Sequence, residues 1–375
     1  GAKSRISFPF VGNKEICAKI KRQIVIFFVY FVLIFVYCYY LPIMFLRRPN
    51  FCIKLGISIL LIALFVLTDL NAQITPISSH YFRNMVAFNP AFAGQNENLN
   101  LIAGYRYQWA QLPGAPQNIY LNGDIYVPQV KGGIGLGIFS QKIGVQSLNK
   151  ISLNYAFIQP IGNVKLSVGL RGGMIFSKLD GSKLITPNGD YQNGTNHEDP
   201  ILPNVITNSL RPDLGMGIAI KHENFNFGIA YNNIIDLSDK FKEGDATLLP
   251  NYESPLNVYG SLSFGIGKDF EILPSFAINT DFRNIQTEIT AMTSWRKIIY
   301  FGFSARGYNK NTFESLIPVV GANVWKNISV FYSYDVNMNG LNIANNGSHE
   351  VSLGYSMPVK QLYKSPKLIN NPRFL

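Results

Sequence analysis

Twelve charged side chains fall at alternate positions of strand-like runs, or at the ends of those runs. They are Arg106, Asp124, Lys142, Lys150, Lys165, Arg171, Lys221, Glu271, Glu288, Arg306, Asp335 and Glu350. Collected on the inner face of a closed sheet, such groups could recognise a ligand or ion, or they could neutralise one another and fill the interior. The signs are mixed and polar residues are the norm inside a barrel, which favours the filling network. Other chemistry is sparse. His80, His197, His222 and His349 are far apart and show no zinc spacing. No G-x-S-x-G nucleophile elbow, G-x-G-x-x-G or G-x-x-x-x-G-K phosphate loop is present. The segment Asn188–Asp199 is rich in oxygen ligands but lacks the regular ligand spacing of a calcium loop, so it reads as a solvated surface loop. No metal, cofactor or catalytic residue is assigned.

The elements that must position these charges are strands. In Leu99–Trp109 the odd positions are Leu99, Leu101, Ala103, Tyr105, Tyr107 and Trp109, and the even ones are Asn100, Ile102, Gly104, Arg106 and Gln108. Side chains alternate across a strand, so one face is apolar and aromatic while the other is mostly small or polar. About fourteen such runs follow one another: Leu99–Trp109, Gln117–Tyr126, Gly133–Lys142, Leu148–Ile158, Val164–Phe176, Leu214–Lys221 and Phe225–Tyr231, then Leu256–Ile266, Glu271–Phe282, Ile285–Trp295, Ile298–Arg306, Glu314–Asn323, Ile328–Asp335 and Glu350–Met357. Tight connections (Gln159–Asn163, His222–Asn224, Gly267–Asp269, Arg296–Lys297, Trp325–Asn327) alternate with long ones (Ser177–Asp213, Asn232–Pro255, Gly307–Phe313, Val336–His349). Transmembrane β-barrels carry short turns at one end and longer loops at the other. The fold class expected is therefore an all-β, antiparallel outer-membrane barrel with both termini at the short-turn end. Gly132, Gly133, Gly135, Gly137, Gly169, Gly172, Gly173, Gly215 and Gly217 lie inside strands, and several fall on the inward face, which suits a crowded interior. Trp109, Trp295 and Trp325 suit interfacial aromatic girdles.

The remaining segments read as processing signals and a plug. Met44 is the first methionine; Arg47, Arg48 and Lys54, the apolar run Leu55–Leu67 and Ala72 follow it as a secretory signal over residues 44–72. Two readings of residues 1–43 stand: an over-extended start upstream of Met44, or a membrane helix at Ile24–Leu41. Cys17, Cys38 and Cys52 all precede the expected cut, so a processed chain would hold no disulfide. Residues 1–72 hold nine of the 33 basic and two of the 22 acidic residues. The chain from Gln73 onward then carries 24 against 20, a net of +4 rather than the +11 of the whole, so the charge does not point to nucleic acid. Residues 73–98, dense in Pro, Asn, Gly and aromatics, read as a packed plug or periplasmic segment. Residues 99–357 read as the barrel and 358–375 as a periplasmic tail.

Several blocks carry a resemblance. They are Tyr81-Phe82-x-Asn84, Asn89-Pro90-Ala91-Phe92-Ala93-Gly94, Tyr105-Arg106-x-Gln108-Trp109, Gly114-Ala115-Pro116, Gly133-x-Gly135-Leu136-Gly137, Lys142-Ile143-Gly144 and Leu153-Asn154-Tyr155-Ala156. The Leu166–Asp180 segment and His349-Glu350-Val351-Ser352-Leu353 belong with them. Together they resemble the PorP/SprF family of type IX secretion system membrane proteins of Bacteroidetes. Phe92 stands where that family commonly has tyrosine. The resemblance implies a non-enzymatic outer-membrane barrel of the type IX secretion and gliding machinery, set in outer-membrane lipid. It implies support for secretion or surface anchoring of a large adhesin, whose C-terminal domain it would receive, with other secretion and gliding components as partners. Asn89, Pro90, Gly94, Arg106, Gln108 and Trp109 are the candidate site. They could bind the partner, or form a buried plug turn whose backbone Arg106 and Gln108 satisfy. The alternative function is an outer-membrane channel for a small or hydrophobic solute.

Overall fold

The computed structural model describes residues 78–359, apart from 187–188, 191–193, 200–201, 235–240, 244–245, 249–255, 282–283, 309–311 and 339–344. The signal, the upstream stretch, residues 73–77 of the plug segment and residues 360–375 of the tail thus lie outside the described residues. No helix among the described residues is long and apolar enough to cross a membrane.

Fourteen antiparallel strands form one closed sheet. In chain order they are β1 (Asn98–Tyr107), β2 (Gln117–Val127), β3 (Gly132–Ile143), β4 (Gln146–Ile161), β5 (Val164–Asp180), β6 (Ile206–Lys221) and β7 (Phe225–Tyr231). The second half is β8 (Leu256–Leu262, resuming as Phe264–Ile266), β9 (Phe270–Thr280), β10 (Ile285–Trp295), β11 (Ile299–Tyr308), β12 (Thr312–Trp325), β13 (Ile328–Asn337) and β14 (Ser348–Pro358). Each strand pairs with its sequence neighbours, and β1 pairs with β14 from Asn98↔Pro358 to Tyr107↔His349. No edge is left over, which is what a sheet in lipid requires, since unpaired backbone groups there find no water.

The alternation read from the sequence sets the two faces. Along β5, Leu166, Val168, Leu170, Met174 and Phe176 are exposed on the outer wall, while Ser167, Gly169, Arg171, Ile175 and Ser177 are buried inside. The outer wall is apolar all round: Leu121, Ile134, Leu153, Val168, Ile218, Ile289, Phe303, Val320 and Leu353 all project outward. At about 3.3 Å per residue and a tilt near 40°, the 17 residues of β5 rise about 40 Å, more than the apolar band of an outer membrane. A closed antiparallel barrel with an apolar exterior and polar interior is an outer-membrane protein.

Short turns at 162–163, 222–224, 267–269, 296–298 and 326–327 gather at the end where β1 begins and β14 stops. This is the periplasmic end in barrels of this type. The loop end is less uniform than the spacing suggested. Gly307–Phe313, read as a long connection, contracts to residues 309–311, because β11 and β12 extend further than their apolar cores. The connection at 144–145 is a two-residue turn on the same end. Residues 181–205 and 232–255 remain long. Trp295 and Trp325 lie at the short-turn rim and Trp109 at the opposite rim, on the boundaries a girdle would occupy.

Inside the sheet runs Ser78–Glu97. It holds one helical turn (Met85–Phe88) and one 3-10 turn (Pro90–Phe92). Tyr81, Val86, Ala91, Phe92 and Ala93 pack with wall residues Ala156, Ile158, Ala219, Tyr259 and Ala277 into one cluster. At this cluster the plug packs directly against the wall.

Candidate functional site: the luminal plug and its buried ion cluster

The lower part of the plug is Asn89-Pro90-Ala91-Phe92-Ala93-Gly94, and its own sequence closes it. Asn89 Oδ1 accepts the Ala91 N–H at 2.8 Å, capping the turn, and Pro90 supplies a first position that needs no donor. The Asn89 amide donates outward to the wall carbonyls of Ile218 (2.9 Å) and Ile229 (3.2 Å). Gly94 turns the chain with φ +68°, and its N–H donates to Asp124 Oδ2 at 2.9 Å. Ser167 Oγ donates to the Ala91 carbonyl at 2.6 Å. Arg171 Nη2 donates to the carbonyls of Val86 (2.6 Å) and Ala87 (2.9 Å), which the single helical turn leaves without partners of its own. The Phe88 carbonyl accepts from the amides of Asn232 and Asn257.

The wall accommodates this turn by being bare where it touches. A Cβ on Gly169 would stand 2.2 Å from Ala91 N, and one on Gly133 would stand 2.1 Å from Ala93 O. Backbone lies directly against backbone at both places.

The upper part of the plug, Ser78–Tyr81, is held by charge. Arg106 on β1 faces Glu350 on β14 across the register, and Glu288 on β10 faces Arg306 on β11. Asp335 on β13 joins them. Arg106 contacts Asp335 at 2.5 Å and Glu350 at 3.1 Å; Arg306 contacts Glu288 at 2.7 Å and Asp335 at 2.8 Å. All five side chains are buried. Ser79 sits among them. Its hydroxyl accepts from Arg106 Nη1 (2.8 Å) and Arg306 Nη2 (2.7 Å) and donates to Asp335 Oδ1 (3.1 Å), while its N–H donates to Glu350 Oε2 (2.8 Å). Ser78 and Tyr120 donate their hydroxyls to Glu350 Oε1. Deep burial makes each of these contacts strong and each unmade one costly.

His80 is buried beside this cluster, with Phe82 and Phe331 edge-on to its ring. Neither ring nitrogen has a hydrogen-bond partner among the described residues, and Nδ1 lies 3.8 Å from Glu350 Oε1. Burial outweighs the pull of Glu350 and pushes the imidazole down to about 4. Tyr81 joins the two parts of the plug: its hydroxyl donates to Thr290 (2.9 Å) and pairs with Ser275 (3.0 Å), and its ring packs against Phe88 and Tyr259.

The six candidate residues therefore occupy three levels. Asn89, Pro90 and Gly94 form the lower turn. Arg106 lies in the ion cluster above. Gln108 and Trp109 lie on the loop-end rim, where Gln108 N–H donates to the Pro116 carbonyl and Trp109 N–H to Ser348 Oγ. The expectation that Arg106 and Gln108 would satisfy the turn does not hold. Arg106 lies one residue before the loop end of β1 and Gln108 one residue beyond it, and Asp124, Ser167 and Arg171 supply bonds to the plug backbone instead. Of the other charges, Lys150 pairs with Asp213 at 2.6 Å, and Lys165 ties the plug exit at Glu97 at 2.6 Å. Lys142 is exposed at the end of β3. Ser79 and His80 carried no sequence signal: neither lies in a periodic run. Among the described residues no group of three His, Cys, Asp or Glu is placed to hold a metal.

No curated protein matches the chain. Among solved structures it is similar to the outer membrane protein Omp33 of Acinetobacter baumannii, at 6% identity and a TM-score of 0.41 over 70% of this chain and 99% of that one. It is also similar to the CymD monoaromatic hydrocarbon channel, at 11% identity and a TM-score of 0.43 over 77% and 94%, and to a TodX monoaromatic hydrocarbon channel mutant, at 9% identity and a TM-score of 0.41 over 73% and 94%. The family model for the type IX secretion system membrane protein PorP/SprF matches residues 70–355, which takes in the plug and nearly the whole barrel, and the chain belongs to that family.

Proposed function

We propose that this outer-membrane barrel is a non-enzymatic anchor of the type IX secretion and gliding machinery, which receives the C-terminal domain of a large secreted adhesin and holds it at the surface. Family membership supplies the secretion system and its other components as partners. The observation that carries the anchoring reading is the filled interior. Ser78–Glu97 is bonded to the inner wall from β1 through β14, so the barrel offers a rigid body with shaped ends rather than an open passage. The cluster carboxylates Glu288, Asp335 and Glu350 are committed to Arg106 and Arg306, which leaves them tying the plug rather than acting on a substrate. Affinity for a partner domain would come from shape and exposed backbone as well as charge. Mild detergent extraction followed by affinity purification tests it. Co-purification of a large secreted protein through its C-terminal end is expected, and deletion should strip that protein from the surface while solute uptake stays normal. Normal surface display with impaired solute uptake would instead establish a channel.

A further inference from the structure

Arg83 is a cation without an acid. It occupies the position that Tyr81-Phe82-x-Asn84 leaves open, and among the described residues no carboxylate lies in ion-pair range of it. Its guanidinium is set on purpose-built ground. Nη1 donates to Ser352 Oγ at 3.2 Å, Nη2 donates to Ser329 Oγ, and the Phe331 ring lies 4.0 Å below. Gly354 leaves the room: a Cβ there would meet Arg83 Nη2 at 2.2 Å. Guanidinium has five N–H groups, so two serines leave donors to spare. Burial lowers Arg83 only to about 10, so it stays charged at neutral pH.

Arg83 lines a void. A cavity of about 300 Å³ runs from Arg83 to the short-turn rim. Phe82, Tyr259, Tyr300 and Phe331 give it an aromatic wall, and Asn224 and Asn323 stand near its mouth. The acid among its lining residues is Glu223, exposed on the turn between β6 and β7. A half-buried cation on the wall of an aromatic-lined pocket matches one ligand shape: an apolar body ending in a carboxylate. We infer that this cavity is a binding site for such a carboxylate, entered from the periplasmic rim, with Arg83 as its anion-holding residue. Two sources share that chemistry, a free aryl carboxylic acid and the C-terminal residue of a polypeptide. The site is separate from the anchoring reading and stands or falls without it.

The test is calorimetric binding to the purified barrel in detergent. The probes are 3-phenylpropionate, the tripeptide Ala-Ala-Phe as free acid, Ala-Ala-Phe amide and inorganic phosphate. Saturable binding of either acid is expected, with the tripeptide losing about tenfold to a hundredfold in affinity on amidation and by a similar factor in Arg83→Met, which keeps the stem's packing. Tripeptide binding without phenylpropionate binding assigns the polypeptide source, and the reverse assigns the free acid. Equal binding of acid and amide overturns the proposal, as does absence of binding by both acids, or binding of phosphate alone. The comparison of acid with amide uses the unaltered protein, so it decides the matter even if Arg83→Met fails to fold.

Discussion

The two ends of the plug are fastened by different physics. Around Asn89–Gly94 the fastening is contact: one asparagine cap, a handful of hydrogen bonds with a single carboxylate, Asp124, among the partners, and bare glycine on the wall so that main chains touch. Around Ser78–Tyr81 it is charge: two guanidiniums and three carboxylates from five strands converge on one serine. The first end is sensitive above all to volume. The second tolerates small changes of shape but not loss of a charge. A segment pinned in these two ways stays registered against the wall along its length, and neither fastening alone would set both its depth and its rotation.

Substitutions should separate the two. The largest effect is expected of Arg306→Met, which strands Glu288 and unbalances Asp335 in a buried site. Seating should weaken by about 3–5 kcal/mol, seen as a lower transition temperature in heat-modifiability gels and faster proteolysis near Ser78. Next comes acid. In the lumen the His80 imidazole is held neutral, its pKa lowered from 6.5 to about 4 by burial. Displaced into water it regains the higher value, so between these pH values the displaced state binds the extra proton. Seating should therefore weaken as pH falls through 6.5 and level off below 4, by about 3 kcal/mol in all. His80→Phe should remove that part of the slope, and an unchanged slope would assign it to the carboxylates instead. Gly169→Ala acts at the other end. It drives a methyl into Pro90 and Ala91, and about 1–3 kcal/mol of stability should be lost with no dependence on pH or salt. The smallest effect is expected of Asn89→Ala, about 1–2 kcal/mol, for the lost cap and the two lost bonds to wall carbonyls.

This contrast also explains what could be read from the chain beforehand. All fourteen strands were legible, because lipid demands apolar residues at every second position and the crowded interior demands small or polar ones at the others. Phe225–Tyr231 and Ile285–Trp295 match to the residue. The upper half of β6 was not legible: Arg211, Pro212 and Asp213 interrupt the alternation, and the strand begins at Ile206 rather than Leu214. Inward charges could be named from parity, but their partners could not, since the Arg106–Asp335 pair spans 229 residues and depends on barrel closure. Ser79 was invisible for the same reason. A serine in an irregular segment gains its role only from what five distant strands bring around it.

The central claim is that Ser78–Glu97 fills the barrel. Ion conductance across a planar bilayer holding the purified, reconstituted protein tests it most directly. The account predicts no steady open-pore current from the intact chain, and pore openings in Arg306→Met. A sustained, porin-like current from the unaltered protein would contradict it.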